Sequence, residues 1–393
     1  MNGTIYMPVG EVCSSISDTY REKKNMVTLI NTSDVLEGRL LNHERVPNSN
    51  LKGQFKKTFQ RDDILYSEIR PQNRRFAYVD FSPIDYIAST KLMVIRAKKD
   101  VVSPKYLYYF LKNSSTVAEL QLLAETRSGT FPQITFSEVA NLTIPVPSLA
   151  VQEVIVQTMQ CLEDKITCNE QINDNLEQQA QSYFQELFVD NADPEWAIGT
   201  ISDLGTVVGG STPSKAKPEY YTESGIAWIT PKDLSINKSK FVSHGENDIT
   251  ELGLKNSSAA IMPEGTVLFS SRAPIGYIAI AAGEVTTNQG FKSVVPKPEI
   301  GTPFVYFFLK NTLPVIEGMA SGSTFKEVSG STMKNVPAVI PDAETLAKFS
   351  DFCAPIFAQQ RILEEQNQSL ATLRDNLLPK LMSGEIDVSA VQL

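Results

Sequence analysis

Along residues 343–382 the seam-forming positions step by three and four: Leu346, Phe349, Cys353, Ile356, Gln360, Leu363, Asn367, Leu370, Arg374, Leu377 and Leu381. Residues 148–190 repeat the stepping through Val151, Ile155, Thr158, Leu162, Ile166, Asn169, Asn173, Leu176, Ala180, Tyr183 and Leu187. A period of about 3.5 residues held over about five heptads predicts a coiled-coil seam. An amphipathic helix lying on its own globule is the plainer alternative. Two such helices in one chain can zip together, most simply antiparallel, and about 40 residues would make each about 60 Å long. Asn173 and Asn367 fall at equivalent seam positions. A polar residue there lowers stability but can fix register.

Elsewhere the period changes. Short β-rich runs at Ile64–Tyr66, Leu92–Ile95, Thr266–Phe269, Tyr277–Ala281 and Ser293–Val295 alternate with Gly/Ser/Pro loops. Ser103-Pro104 and Thr302-Pro303 each open a predicted helix, proline being suited to the first turn. These two α+β stretches are copies. Asn141 to Pro147 matches Asn335 to Pro341, and Gly129-Thr-Phe131 matches Ser323-Thr-Phe325. Tyr109 to Asn113 matches Phe307 to Asn311, and Ile64 to Ser67 matches Val267 to Ser270, each of the last pair followed by an Arg and a Pro. Four matches in one order mean a duplicated unit of roughly 190 residues. The expected plan is globule 1–147, helix 148–192, globule 193–341, helix 342–384 and a tail 385–393, a pseudo-twofold tandem repeat.

The overall charge of −9 hides a division. Residues 1–147 carry 19 basic and 15 acidic side chains, whereas residues 148–192 carry 1 and 8. Residues 193–341 carry 12 and 14, and residues 342–393 carry 4 and 8. The acidic balance therefore does not exclude nucleic acid; it confines it to part of the chain. Four cysteines without a Cys-x-x-Cys pair read as small buried thiols in a reducing compartment. With His43 and His244 the only histidines, a His-rich metal site is excluded and a Ser–His–Asp triad has little to draw on. No apolar run approaches the roughly 18–20 residues of a membrane span, and Met1 to Gly10 lacks the marks of a secretion signal. A cytoplasmic location is expected.

Two similar globules on a rod of fixed length make a two-point ruler. Reading two half-sites at set spacing is what dimeric DNA-binding proteins do by symmetry. Here the chain resembles the specificity subunits of type I restriction–modification systems. The resemblance covers essentially its whole length. It rests on the order globule, helix, globule, helix with junctions Ile144-Pro-Val-Pro147 and Val339-Ile-Pro341, and on the ending Asn376-Leu-Leu-Pro-Lys-Leu-Met-Ser-Gly-Glu385. A third element is Ile201 to Gly205 with Gly209 to Ser214 and Trp228 to Asp233, from which the first globule departs at Ser15 to Thr19. The resemblance implies that each globule is a target-recognition domain for double-stranded DNA. It also implies that the helices dock two methyltransferase subunits, which bring S-adenosylmethionine, and that a translocating nuclease subunit can join. No cofactor, metal or catalytic residue is then expected in this chain. In keeping with that, there is no Gly-x-x-x-x-Gly-Lys-Ser/Thr loop and no Asn/Asp-Pro-Pro-Tyr/Phe signature. Asp18 with Glu22 to Lys24 is too common a pattern to mark a nuclease. A coiled-coil scaffold whose globules bind proteins, or the specificity part of a related restriction system, are the alternatives.

Affinity for DNA needs cations and small donors at phosphates, and specificity needs side chains at base edges. In the first globule Lys52, Lys56, Lys57, Arg61, Arg70, Arg74 and Arg75 form a basic cluster. A small polar loop precedes each exit to a helix: Arg127, Ser128, Gly129 and Thr130 in one copy, and Ser321, Gly322, Ser323, Thr324 and Lys326 in the other. Glycine there would let backbone N–H groups approach a phosphate closely. Gly210, Ser211, Thr212, Lys232, Ser271 and Arg272 are the further candidates in the second globule. Tyr106, Tyr108, Tyr109, Phe307 and Phe308 read as core.

Overall fold

A computed structural model of the chain describes residues 4–22, 24–49, 53–126, 131–322 and 326–388. It divides into two compact units, and the division cuts each long helix. Unit 1 contains residues 1–166 with 369–393, and unit 2 contains residues 167–368.

In unit 1 the strand Leu92–Ala97, apolar except for Arg96, is buried on both faces along Leu92–Ile95, as a central strand requires. It lies between Cys13–Ile16 and Ile64–Ser67, and Phe76–Tyr78 completes an antiparallel sheet of four. A second sheet orders Val46–Pro47, Met26–Ile30, Tyr86–Ser89 and Phe55–Lys57, with its central pair parallel. The strand Ile5–Pro8 pairs with Thr143–Val146 immediately before the first long helix. Unit 2 repeats this design. Gly205–Gly209, Lys292–Pro296, Val267–Ser271 and Ile275–Ala281 take the order of the first sheet, with Phe241–Val242 added at the edge. Ala197–Thr200 pairs with Pro337–Ile340, as Ile5–Pro8 does with Thr143–Val146.

The predicted helices start where proline set them, Pro104–Lys112 and Thr302–Met319. Six successive residues, Tyr106 to Leu111, are buried, so the first of these helices is enclosed on every side. Tyr108 packs on Phe76 and Tyr78, whereas the Tyr109 hydroxyl turns to Glu163 on the first long helix, 2.8 Å away. Phe307 is likewise fully buried, in the core of unit 2.

The two long helices are Leu149–Gln185, prolonged by a π-helical turn Glu186–Asp190, and Ala343–Ser383. Within unit 1, Ile155, Val156 and Met159 of the first share a core with Leu378, Leu381 and Met382 of the second. Within unit 2 the polarity is complementary: Ala180, Phe184 and Phe188 share a core with Leu346, Phe349 and Cys353. The start of each helix thus meets the end of the other, which is antiparallel pairing. Each helix also buries a second stripe against a globule, one that the seam pattern omitted. Gln152, fully buried, accepts from the Ser103 N–H and donates to the Val101 and Pro147 carbonyls.

The two seam asparagines, Asn173 and Asn367, do not face each other. Asn169, fully buried, donates to the Asn367 side chain at 2.8 Å, so Asn169 is the partner of Asn367. Asn173 instead offers its backbone carbonyl to Gln360. In an antiparallel pair, equivalent positions lie at mirrored heights and do not meet. The cysteines also depart from a uniformly buried set: Cys13 and Cys353 are buried, while Cys161 and Cys168 are exposed on the first long helix.

Candidate nucleic-acid interface

In both units the strand that ends in Ser is followed by a strained turn, and that turn lies beside the exit loop. In unit 1 the strand Ile64–Ser67 leads to a 3-10 turn Pro71–Asn73 flanked by Arg70 and Arg74. Both arginines have positive φ, 46° and 51°. Non-glycine residues in this region store backbone strain and cluster at functional sites. Arg70 is exposed, its guanidinium lies 5.8 Å from the Phe131 ring, and its backbone N–H donates to Pro132. The basic cluster and the end of the exit loop therefore meet at Arg70. Arg127, Ser128, Gly129 and Thr130 themselves lie outside the described residues, as does Lys52.

Unit 2 builds the same corner. Ala273, with φ 53°, precedes Pro274 at the end of Val267–Ser271, and the Val328 N–H donates to the Ser271 carbonyl. The Arg272 guanidinium pairs with Glu327 at 3.4 Å, just beyond the second exit loop. Ser321 and Gly322 are exposed at the start of that loop and Lys326 at its end. Ser323 and Thr324 lie outside the described residues.

Two candidates are corrected by their surroundings. Ser271 is fully buried and its hydroxyl donates to the Gly290 carbonyl, so it closes a strand and reaches no ligand. The Lys57 ammonium donates to the Thr90 and Leu92 carbonyls, and burial lowers its pKa; it staples two strands. Arg75 is half-buried and bound to the Ser33 carbonyl at 2.9 Å, and Arg74 reaches the Ser114 hydroxyl at 2.8 Å. Lys56 and Arg61 are exposed.

In unit 2 three of the candidates lie on a pocket of about 470 Å³. Thr212, Lys232 and Arg272 line it together with Lys215, Asn247 and Gln289. Trp228, 6% exposed, donates its indole N–H to the Ser211 carbonyl and so ties the loop at 210–214 to a buried strand. Gly210 serves packing: a Cβ there would lie 2.1 Å from the Asn288 carbonyl oxygen. Lys232 pairs with Glu246 at 2.5 Å in solvent. Asp233 closes a capping box with Thr230 and also accepts from the Glu246 N–H. Among the described residues no cluster of His, Cys, Asp or Glu could hold a metal ion, and no helix is long and apolar enough to cross a membrane.

Two α+β units of one topology, each with a strained, cation-bearing corner at the same strand end and each packed on antiparallel helices, define a tandem recognition protein. The description Type I restriction modification DNA specificity domain fits the chain twice, over residues 7–178 and 194–373. The chain therefore belongs to the specificity subunits of type I restriction–modification systems, which recognise DNA sequence through target-recognition domains and are non-catalytic. It is 29% identical to the type I restriction enzyme HindI specificity subunit of Haemophilus influenzae, across 92% of this chain and 94% of that one. It is 39% identical to the MjaIX specificity subunit of Methanocaldococcus jannaschii, over 47% of this chain and 45% of that one. The crystal structure of a type I S subunit from M. genitalium has the same fold, with a TM-score of 0.55 at 17% identity and 97% of each chain covered.

Proposed function

We propose that this subunit reads a split, asymmetric DNA site, one half with each unit, the paired helices setting the distance between the halves. The observation that carries the reading is the repeated corner, Arg70 beside the first exit loop and Arg272 beside the second. The surrounding side chains differ between the units, so the two half-sites would differ in sequence. The acid-rich helices would recruit two methyltransferase subunits, with S-adenosylmethionine entering through them, and a restriction subunit could add to the same assembly.

The test is to express the chain with its partner methyltransferase subunit and map methyladenine across the host genome. One new split motif is expected, lost when Ser128–Thr130 or Ser321–Thr324 is replaced. A soluble complex that leaves no mark would remove the reading. Phosphate contacts have their own signature. Each of Arg61→Gln, Arg70→Gln and Arg74→Gln is expected to reduce the slope of log affinity against log salt by about 1, without changing the motif. An unchanged slope would take that arginine off the DNA backbone.

A further inference from the structure

The turn that joins Thr286–Thr287 to Lys292–Pro296 forms one wall of the unit 2 pocket, and it is braced on all sides. The Asn288 N–H donates to the Ile229 carbonyl, and the Asn288 side chain accepts from the Gly290 N–H at 2.8 Å. The Gly290 carbonyl accepts from both the N–H and the hydroxyl of Ser271. A Cβ at Gly290 would lie 2.9 Å from the Pro231 ring, so this end of the turn has no room to shift. Within this frame Asn288 is consumed by the turn, while Gln289 is exposed. The Gln289 carboxamide oxygen is hydrogen-bonded by the Thr212 hydroxyl, which orients the amide plane.

We propose that Gln289 is the adenine-reading residue of the half-site recognised by unit 2; this deepens the split-site reading and rests on it. A primary amide is the side chain that pairs in bidentate fashion with the N6 and N7 edge of adenine in the major groove. Rigid support of a reading side chain limits the entropy lost when it docks. Lys215 lines the same pocket as a cation for a flanking phosphate. Glu246 pairs with Lys232 and Asp233 is hydrogen-bonded within the wall, so the nearby carboxylates already have partners. At the same point of unit 1, between Tyr86–Ser89 and Leu92–Ala97, a shorter turn holds Thr90 and Lys91 instead. One topological position thus carries different readers in the two units.

The experiment maps methyladenine made by the complete complex carrying Gln289→Ala or Gln289→Glu. Gln289→Ala is expected to relax one A·T position in one half-site, with discrimination there falling roughly 5- to 150-fold, and to leave the other half-site intact. Gln289→Glu keeps the size and the acceptor for Thr212, and is expected to shift that position toward cytosine, whose N4 amino group a carboxylate accepts. A wild-type split motif that both variants mark with unchanged stringency overturns the assignment. So does uniform loss at every site, which would make Gln289 a phosphate contact or a structural prop. A wild-type complex that marks no DNA brings down the split-site reading itself, a different result from either.

Discussion

Glu177→Gln is expected to destabilise unit 2 by about 3–5 kcal/mol, the usual cost of removing one member of a buried ion cluster. Glu177 accepts from the Lys240 and Lys310 ammonium groups, the Tyr306 hydroxyl and the Gln360 amide. Lys240 is 6% exposed at its side chain and sits 3.5 Å from the centre of the Phe357 ring. Its backbone N–H and that of Phe241 donate to Glu364 of the second long helix. Lys240 thereby fastens a globule loop to both long helices, and Glu177 neutralises it. Burial pushes the Lys240 ammonium down to about 8 even with Glu177 in place. Without that carboxylate the buried Lys240 ammonium loses its counter-charge while Lys310 stays beside it. The loss should appear as a fall of roughly 6–20 °C in the unit 2 melting transition. Segment-resolved hydrogen exchange should show unit 1 unmoved. A change under about 1 kcal/mol would mean that the cluster adds nothing.

The same carboxyl predicts a pH signature. Burial alone would raise its pKa, but Lys240 and Lys310 outweigh burial and hold it below the ordinary glutamate range. Its folded value lies below its unfolded value of about 4.3, so its contribution is complete above that pH. The contribution fades as pH falls through the folded value. The gap between wild type and Glu177→Gln should be largest above the ordinary glutamate range and close as pH falls below it.

Two adjacent glycines give the second large effect. A Cβ on Gly210 would meet the carbonyl oxygens of Asn288 and Thr287 at 2.1 and 2.4 Å. A Cβ on Gly209 would touch only the Lys292 side chain, at 3.9 Å. Gly210→Ala should therefore cost about 1–3 kcal/mol by overpacking and push the loop at 210–214 away from the turn that carries Gln289. Methylation at the split site is expected to fall on the order of 100-fold, the penalty of misplacing a recognition element by about 1 Å. Gly209→Ala should leave both stability and methylation near wild type. Equal outcomes for the two variants would detach the loop from recognition.

What the chain declares openly is whatever repeats. The period of the long helices and the four matched segments led to two α+β globules with antiparallel helices, because heptads and duplicated junctions are local patterns. Partners across the chain were hidden. Lys57 reads as one cation among seven until the Thr90 and Leu92 carbonyls are seen to hold it. Ser271 reads as a loop residue because Arg272 and Pro274 follow it, yet the strand runs to its end. Gln152 and Glu177 fell outside the seam pattern, since each faces a globule whose contact no heptad encodes. In the sequence Gln289 is one polar residue among many; the nearest signal is the Thr-Asn-Gln-Gly run, whose tight turn only the strand pairing reveals.

The closing of unit 1 has a consequence for how the protein is born. Its core needs Leu378, Leu381, Met382 and Val388, residues made some 200 positions after Ile166. On a ribosome adding about 5–20 residues per second, the nascent first globule waits roughly 10–40 s for the segment that caps its hydrophobic face. Unit 2, contiguous from 167 to 368, has no such delay and can complete first. Maturation of this molecule runs against the direction of translation, and a premature stop near the end of the message strikes the domain encoded at its beginning.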